Sequence, residues 1–122
     1  MDLSVNSLKK IINEYINIHP FGFVVIEILE SNNVFFQVVR EKNGSFLAEI
    51  TGPNVTNDLC NERIKDLIDI GWNYEKNSVN FYKNITVKDL LDNSFLNKIC
   101  SSLKIYPSAK DKSKISYQVS EL

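Results

Sequence analysis

The sequence predicts an α+β domain: an antiparallel sheet of four to five strands with helices packed on one face. Three observations predict it. Between Gly22 and Thr51, three short runs rich in Val, Ile and Phe are separated by turns that carry Asn and Gly. The segments on either side place apolar residues at helical spacing. The order is helix, three strands, helix, strand, helix, with a further period-two run near the end, which is the order of helices laid against a sheet of hairpins.

Leu3 to Ile18 reads as the first helix. Leu8, Ile11, Ile12, Tyr15 and Ile16 share one side of it. Ser4 or Asn6 supplies its cap. His19-Pro20-Phe21-Gly22 ends it, because Pro20 disfavours helical dihedrals at His19. His19 is the one histidine, and we read it as a helix C-terminal residue meeting the dipole rather than as a base or ligand.

The strands are Phe23–Glu30, Val34–Glu41 and Ser45–Thr51, with turns at Ser31-Asn32-Asn33 and Lys42-Asn43-Gly44. A three-residue loop at Ser31–Asn33 sets Val24, Ile26 and Ile28 opposite Val38 and Phe36, with Arg40 near the end. For the second turn, a two-residue Asn-Gly loop puts Val38 opposite Glu49. A three-residue loop with Gly44 left-handed pairs Val38 with Ala48 and Phe36 with Ile50. A one-residue slip exchanges faces, so the apolar pattern selects the longer loop. One face then carries Val24, Ile26, Ile28, Val34, Phe36, Val38, Phe46, Ala48 and Ile50, and this is the core face.

The opposite face mixes Glu27, Gln37, Glu41 and Glu49 with Phe23, Val25, Leu29, Phe35, Val39 and Leu47. A sheet packed on one side should show polar residues outward. Large apolar side chains there, each worth about 1.5–3 kcal/mol when buried, call for a cover. Either the C-terminal segment or a partner supplies it.

Gly52-Pro53 ends the sheet run. Thr56 or Asn57 then caps a second helix that runs to Ile70, with Cys60, Ile64, Leu67 and Ile68 as its stripe and Gly71 at the left-handed stop. Asp58, Glu62, Asp66 and Asp69 line another side, read as a solvated face. Trp72 follows as a core residue, and Val79 to Tyr82 form a short strand. Thr86 starts a third helix, with Asp89 completing a capping box. Its main stripe is Val87, Leu91, Phe95, Ile99 and Leu103. Residues 1–107 make a single domain. Residues 108–122 are a polar, lysine-rich tail in which Ile115–Val119 alternates, so the tail is either an edge strand or unordered.

At 122 residues and a net charge of −1, the chain is long enough for a real core and lacks the basic surplus of a nucleic-acid binder. No apolar run has the length of a membrane span. Without a basic-then-apolar leader, the expected compartment is cytoplasmic. Cys60 and Cys100 both fall on apolar stripes, where burial raises a thiol pKa and keeps it inert. No phosphate loop, CxxC pair, HExxH or nucleophile elbow is present. The expectation is therefore a protein without catalytic residues, cofactor or metal.

Leu67-Ile68-Asp69-Ile70-Gly71-Trp72, followed by Asn80-Phe81-Tyr82, resembles the "L-x-x-L-G-W … N-[WF]" signature of small bacterial proteins of the type III secretion chaperone-like, YbjN-type fold. Ile70 stands where that signature has Leu. The resemblance implies a non-enzymatic, chaperone-like or peptide-binding module, often dimeric. The second apolar face agrees with it, and Phe23, Val25, Phe35, Val39, Leu47 and Tyr82 are the expected partner-binding residues, with a homodimer as the expected assembly. An edge strand offers a second way to add a peptide. The alternative function is an immunity-like protein that blocks a partner toxin enzyme, with Asp58, Glu62, Asp66 and Asp69 facing a basic site.

Overall fold

The computed structural model of the protein describes residues 1–18, 22–110 and 113–121. The expectations for His19 and Pro20 fall outside the described residues, as do Asp111 and Lys112 of the tail.

Helix α1 spans Val5–Ile18. Ser4 is its cap: its Oγ accepts the Ser7 N–H at 3.1 Å. Strands β1 (Phe23–Ile28), β2 (Phe35–Arg40), β3 (Phe46–Ile50), β4 (Phe81–Ile85) and β5 (Ile115–Ser120) form one antiparallel sheet in the order β4-β3-β2-β1-β5. The fold class is the one the sequence predicts.

The β2–β3 hairpin has the predicted register. Phe36 faces Ile50 and Val38 faces Ala48, and Gly44 takes a left-handed φ of 87° at the end of a three-residue loop. The β1–β2 hairpin differs. Val24 faces Val38 and Ile26 faces Phe36, and the Ile28 N–H bonds the Val34 carbonyl at 3.0 Å. The loop is therefore Leu29–Asn33, longer by two residues than expected, with Glu30 and Asn33 at φ of 59° and 60°. A shift of two leaves every side chain on its own face. The apolar pattern was blind to it.

All nine predicted core-face residues are 0–4% exposed. Helices cover them. Tyr15 of α1 meets Phe46 edge to face at 6.1 Å, and its hydroxyl donates to the Gly22 carbonyl at 2.8 Å. Tyr106, fully buried, donates to the Thr51 carbonyl at 2.5 Å, and burial pushes its pKa up.

Helix α2 spans Asn61–Ile70, later than expected. Thr56 is spent elsewhere: its N–H joins a turn on the Gly52 carbonyl, and its Oγ1 accepts the Asp58 N–H. Of the expected stripe only Leu67 is buried; Ile68 is 47% exposed, and Cys60 sits outside at the cap position. Gly71 takes φ 124° as the helix stop, and Trp72 is buried with its Nε1 donating to Ser102 Oγ at 2.8 Å.

The expected third helix is two: α3 (Val87–Leu90) and α4 (Asn93–Leu103). Thr86 and Asp89 do form the capping box. Asp92 then opens a second cap, its carboxylate accepting the Ser94 N–H at 2.8 Å. The break turns Val87 and Leu91 out to 45% and 40% exposure, while Phe95, Leu96, Ile99 and Leu103 stay buried.

The tail residues Ile115–Ser120 form an edge strand on β1. On its outer side, Asp2 bridges Lys114, with the Leu3 N–H on the Ser113 carbonyl and the Ile115 N–H on the Met1 carbonyl. At the other margin, Asn73 and Tyr82 exchange both backbone bonds at 2.9 Å.

Candidate functional site

Strand alternation puts the odd-numbered residues of β1, β2 and β3 on the side away from the helices. Pairing sets them in rows. One row runs Asn84, Leu47, Val39, Phe23, Ser120 across the sheet. The next runs Tyr82, Glu49, Gln37, Val25, Gln118. A third holds Phe35, Glu27 and Ser116. The C-terminal segment extends these rows at the β5 edge and does not lie over them, so it is not the cover that the sequence left open.

All six expected partner-binding residues stand on this open face. Phe23, Val39 and Leu47 align in one row, with Val25 beside Phe23 along β1. Each is half-buried by its neighbours in the sheet alone. Phe35 lies beyond Gln37 at the turn end. Tyr82 shares the face but not the apolar group. Glu49 and Gln37 separate it from Val25, and they are bonded to each other at 2.9 Å. Its hydroxyl donates to Glu75 Oε1 at 2.5 Å, which raises its pKa, and Asn73 occupies its backbone. Tyr82 is a margin residue.

The face continues at the β1–β2 turn into a depression of about 370 Å³ lined in part by Glu27, Leu29, Glu30, Phe35 and Val55. Sequence reasoning missed its outer wall. Glu30 and Val55 line it, and Glu30 belongs to the loop that is two residues longer than the pattern suggested. A larger hollow of about 590 Å³ lies beyond it among Ser31, Asn32, Asn33 and residues 53–57, with no titratable side chain in its lining.

Asp58 organises that neighbourhood. Its carboxylate accepts from Asn32 Nδ2 at 2.7 Å, from the Ser108 N–H at 2.9 Å and from the Ser108 hydroxyl. Desolvation pushes the carboxyl up, but the bonds from Ser108 and Asn32 outweigh it and the pKa is lowered. Asp58 thus clasps three loops and stands outside α2, apart from Glu62, Asp66 and Asp69.

The two cysteines diverge. Burial raises the Cys100 thiol, as expected. Cys60 is exposed, and its pKa is lowered by the Arg63 backbone N–H and then by the Arg63 guanidinium, whose Nη1 lies 3.3 Å from Sγ. The late start of α2 is the cause, since it leaves Cys60 at the helix cap instead of on the apolar stripe.

Among the described residues, no group of three or more His, Cys, Asp and Glu is placed to hold a metal ion, and no helix is long and apolar enough to cross a membrane. Protein-family models, curated proteins and solved structures yield no match to this chain.

Proposed function

We propose that the chain is a non-enzymatic, chaperone-like docking module that holds a partner polypeptide on the open face of its sheet. One observation carries this reading: Phe23, Val39 and Leu47 line up across three strands, on the side opposite the helices, with no described element laid over them. The free side of an antiparallel sheet packed on one face is ordinarily polar, and a contiguous apolar group there marks an interaction site. The two sheet margins support the face over the edges as the place of docking. Met1–Leu3 and Asn73 already occupy part of the backbone bonds an added strand would need. A reducing, cytoplasmic setting belongs to the same proposal, in keeping with the exposed free thiol of Cys60.

The test compares wild type with Val39→Asp. The substitution is expected to leave the free protein folded, because no described element lies over Val39. Candidate partners captured on the wild type are purified and titrated against both forms. Loss of binding by Val39→Asp with unchanged circular dichroism supports the reading; equal binding rejects it. Light scattering on the same two proteins decides the homodimer: a wild-type dimer that Val39→Asp dissolves makes the second copy the occupant.

A further inference from the structure

The charges on the open face are of one sign. Glu27, Glu41 and Glu49 stand on its rows or directly beyond them, and Glu75 reaches Tyr82 at its margin. The chain holds 14 Lys and Arg against 15 Asp and Glu, yet no described Lys or Arg stands on these rows. Lys83 alternates to the helix side, its Nζ near Gly71 at the end of α2, and Arg40 lies over the Phe46 ring at 5.5 Å. An acidic, apolar surface disfavours an anionic membrane or a nucleic acid. It also disfavours a second copy laid face to face, because the glutamates of one copy would meet those of the other.

The depression at the β1–β2 turn sharpens this. Leu29, 44% exposed, lines it together with Phe35 and Val55, and Glu27 and Glu30 line the same space. Neither carboxylate has a hydrogen-bond or ion-pair partner among the described residues. Glu30 holds its position at a φ of 59°, a conformation that Gly or Asn adopts more cheaply. A long cationic side chain is both an apolar stem and a charged head, and this site offers apolar residues beside two glutamates that have no partner among the described residues.

We propose that the occupant of the open face is a cationic amphipathic segment of a partner protein, with one lysine or arginine laying its stem on Leu29, Phe35 and Val55 and its head between Glu27 and Glu30. This rests on the docking function proposed above and names the chemistry of its partner.

The experiment uses three synthetic peptides of equal length that alternate leucine with lysine, with serine or with glutamate. Each is titrated by fluorescence anisotropy against the wild type, against the double variant Glu27→Gln/Glu30→Gln and against Val39→Asp, and backbone amide shifts map where it binds. The leucine–lysine peptide is expected to bind at least about tenfold tighter than the leucine–serine peptide, to shift amides of Phe35, Val39 and Leu47, and to lose most of that advantage in the double variant and at high salt. Equal binding of the lysine and serine peptides, or an unchanged advantage in the double variant, overturns the cationic assignment; if Val39→Asp still abolishes binding, the docking reading survives it. Binding of no peptide, or binding that Val39→Asp leaves untouched, overturns both.

Discussion

Val38 and Val39 are neighbours in one strand with the same side chain, and they live in different surroundings. Val38 is fully buried between β2 and the helices, while Val39 is half-buried by its sheet neighbours only. The difference teaches that a strand has no burial of its own. A second layer confers it, and the helices of this chain supply one layer for two apolar faces. The same contrast holds one turn of the pleat away, between Phe36 and Phe35.

The contrast breaks most visibly by charge. Val38→Asp buries an unpaired carboxylate and is expected to cost more than about 4 kcal/mol, enough to unfold the domain, while Val39→Asp stays within about 1 kcal/mol in a urea titration. Similar losses at the two positions would show that the open face is covered after all. Truncation sharpens it: Phe36→Ala is expected to cost about 3–5 kcal/mol and Phe35→Ala about 1 kcal/mol or less by the same titration. On the helix side a single hydroxyl matters. Tyr106→Phe leaves the buried Thr51 carbonyl unpaired and should cost about 1–3 kcal/mol, measured against the wild type in the same denaturant.

Beside the open face, the Asp58 clasp gives a pH effect whose sign follows from linkage. The folded pKa of Asp58 lies below its unfolded value, so its contribution is present above the unfolded pKa, near the ordinary carboxylate range of about 4, and is lost as pH falls through the folded pKa. The melting temperature should therefore drop below about pH 4, and Asp58→Asn should flatten that drop while lowering stability at neutral pH. The smallest effect runs the other way. Glu30→Gly relieves a left-handed φ and should raise stability by up to about 1 kcal/mol in thermal melts, while weakening any hold on a cationic side chain. A loss of stability there would mean that Glu30 works for the fold.

What the sequence made legible follows from what parity encodes. The alternation of Val24, Ile26, Phe36, Val38, Ala48 and Ile50 names the core face outright, and with Gly44 it also sets the β2–β3 register. It could not set the β1–β2 register, because a slip of two residues preserves parity, so the Glu30–Val55 end of the site was invisible. Helical stripes were less informative. Val87 and Leu91 fit the spacing of a continuous helix, yet the cap at Asp92 broke it, and Asp92 was a legible signal that a strong stripe masked. Tyr82 was placed on the correct face, but its bond to Glu75 is a tertiary fact that no local pattern carries.

The short bridges at the two margins of the sheet bear on how the protein behaves when concentrated. A long bare strand edge recruits strands from other molecules and seeds fibrils. Here Asp2 against Lys114 and Asn73 against Tyr82 each guard part of one margin. Deleting Met1 and Asp2 strips one of these guards while keeping Leu3, whose side chain belongs to the buried core, and is expected to raise self-association through β5.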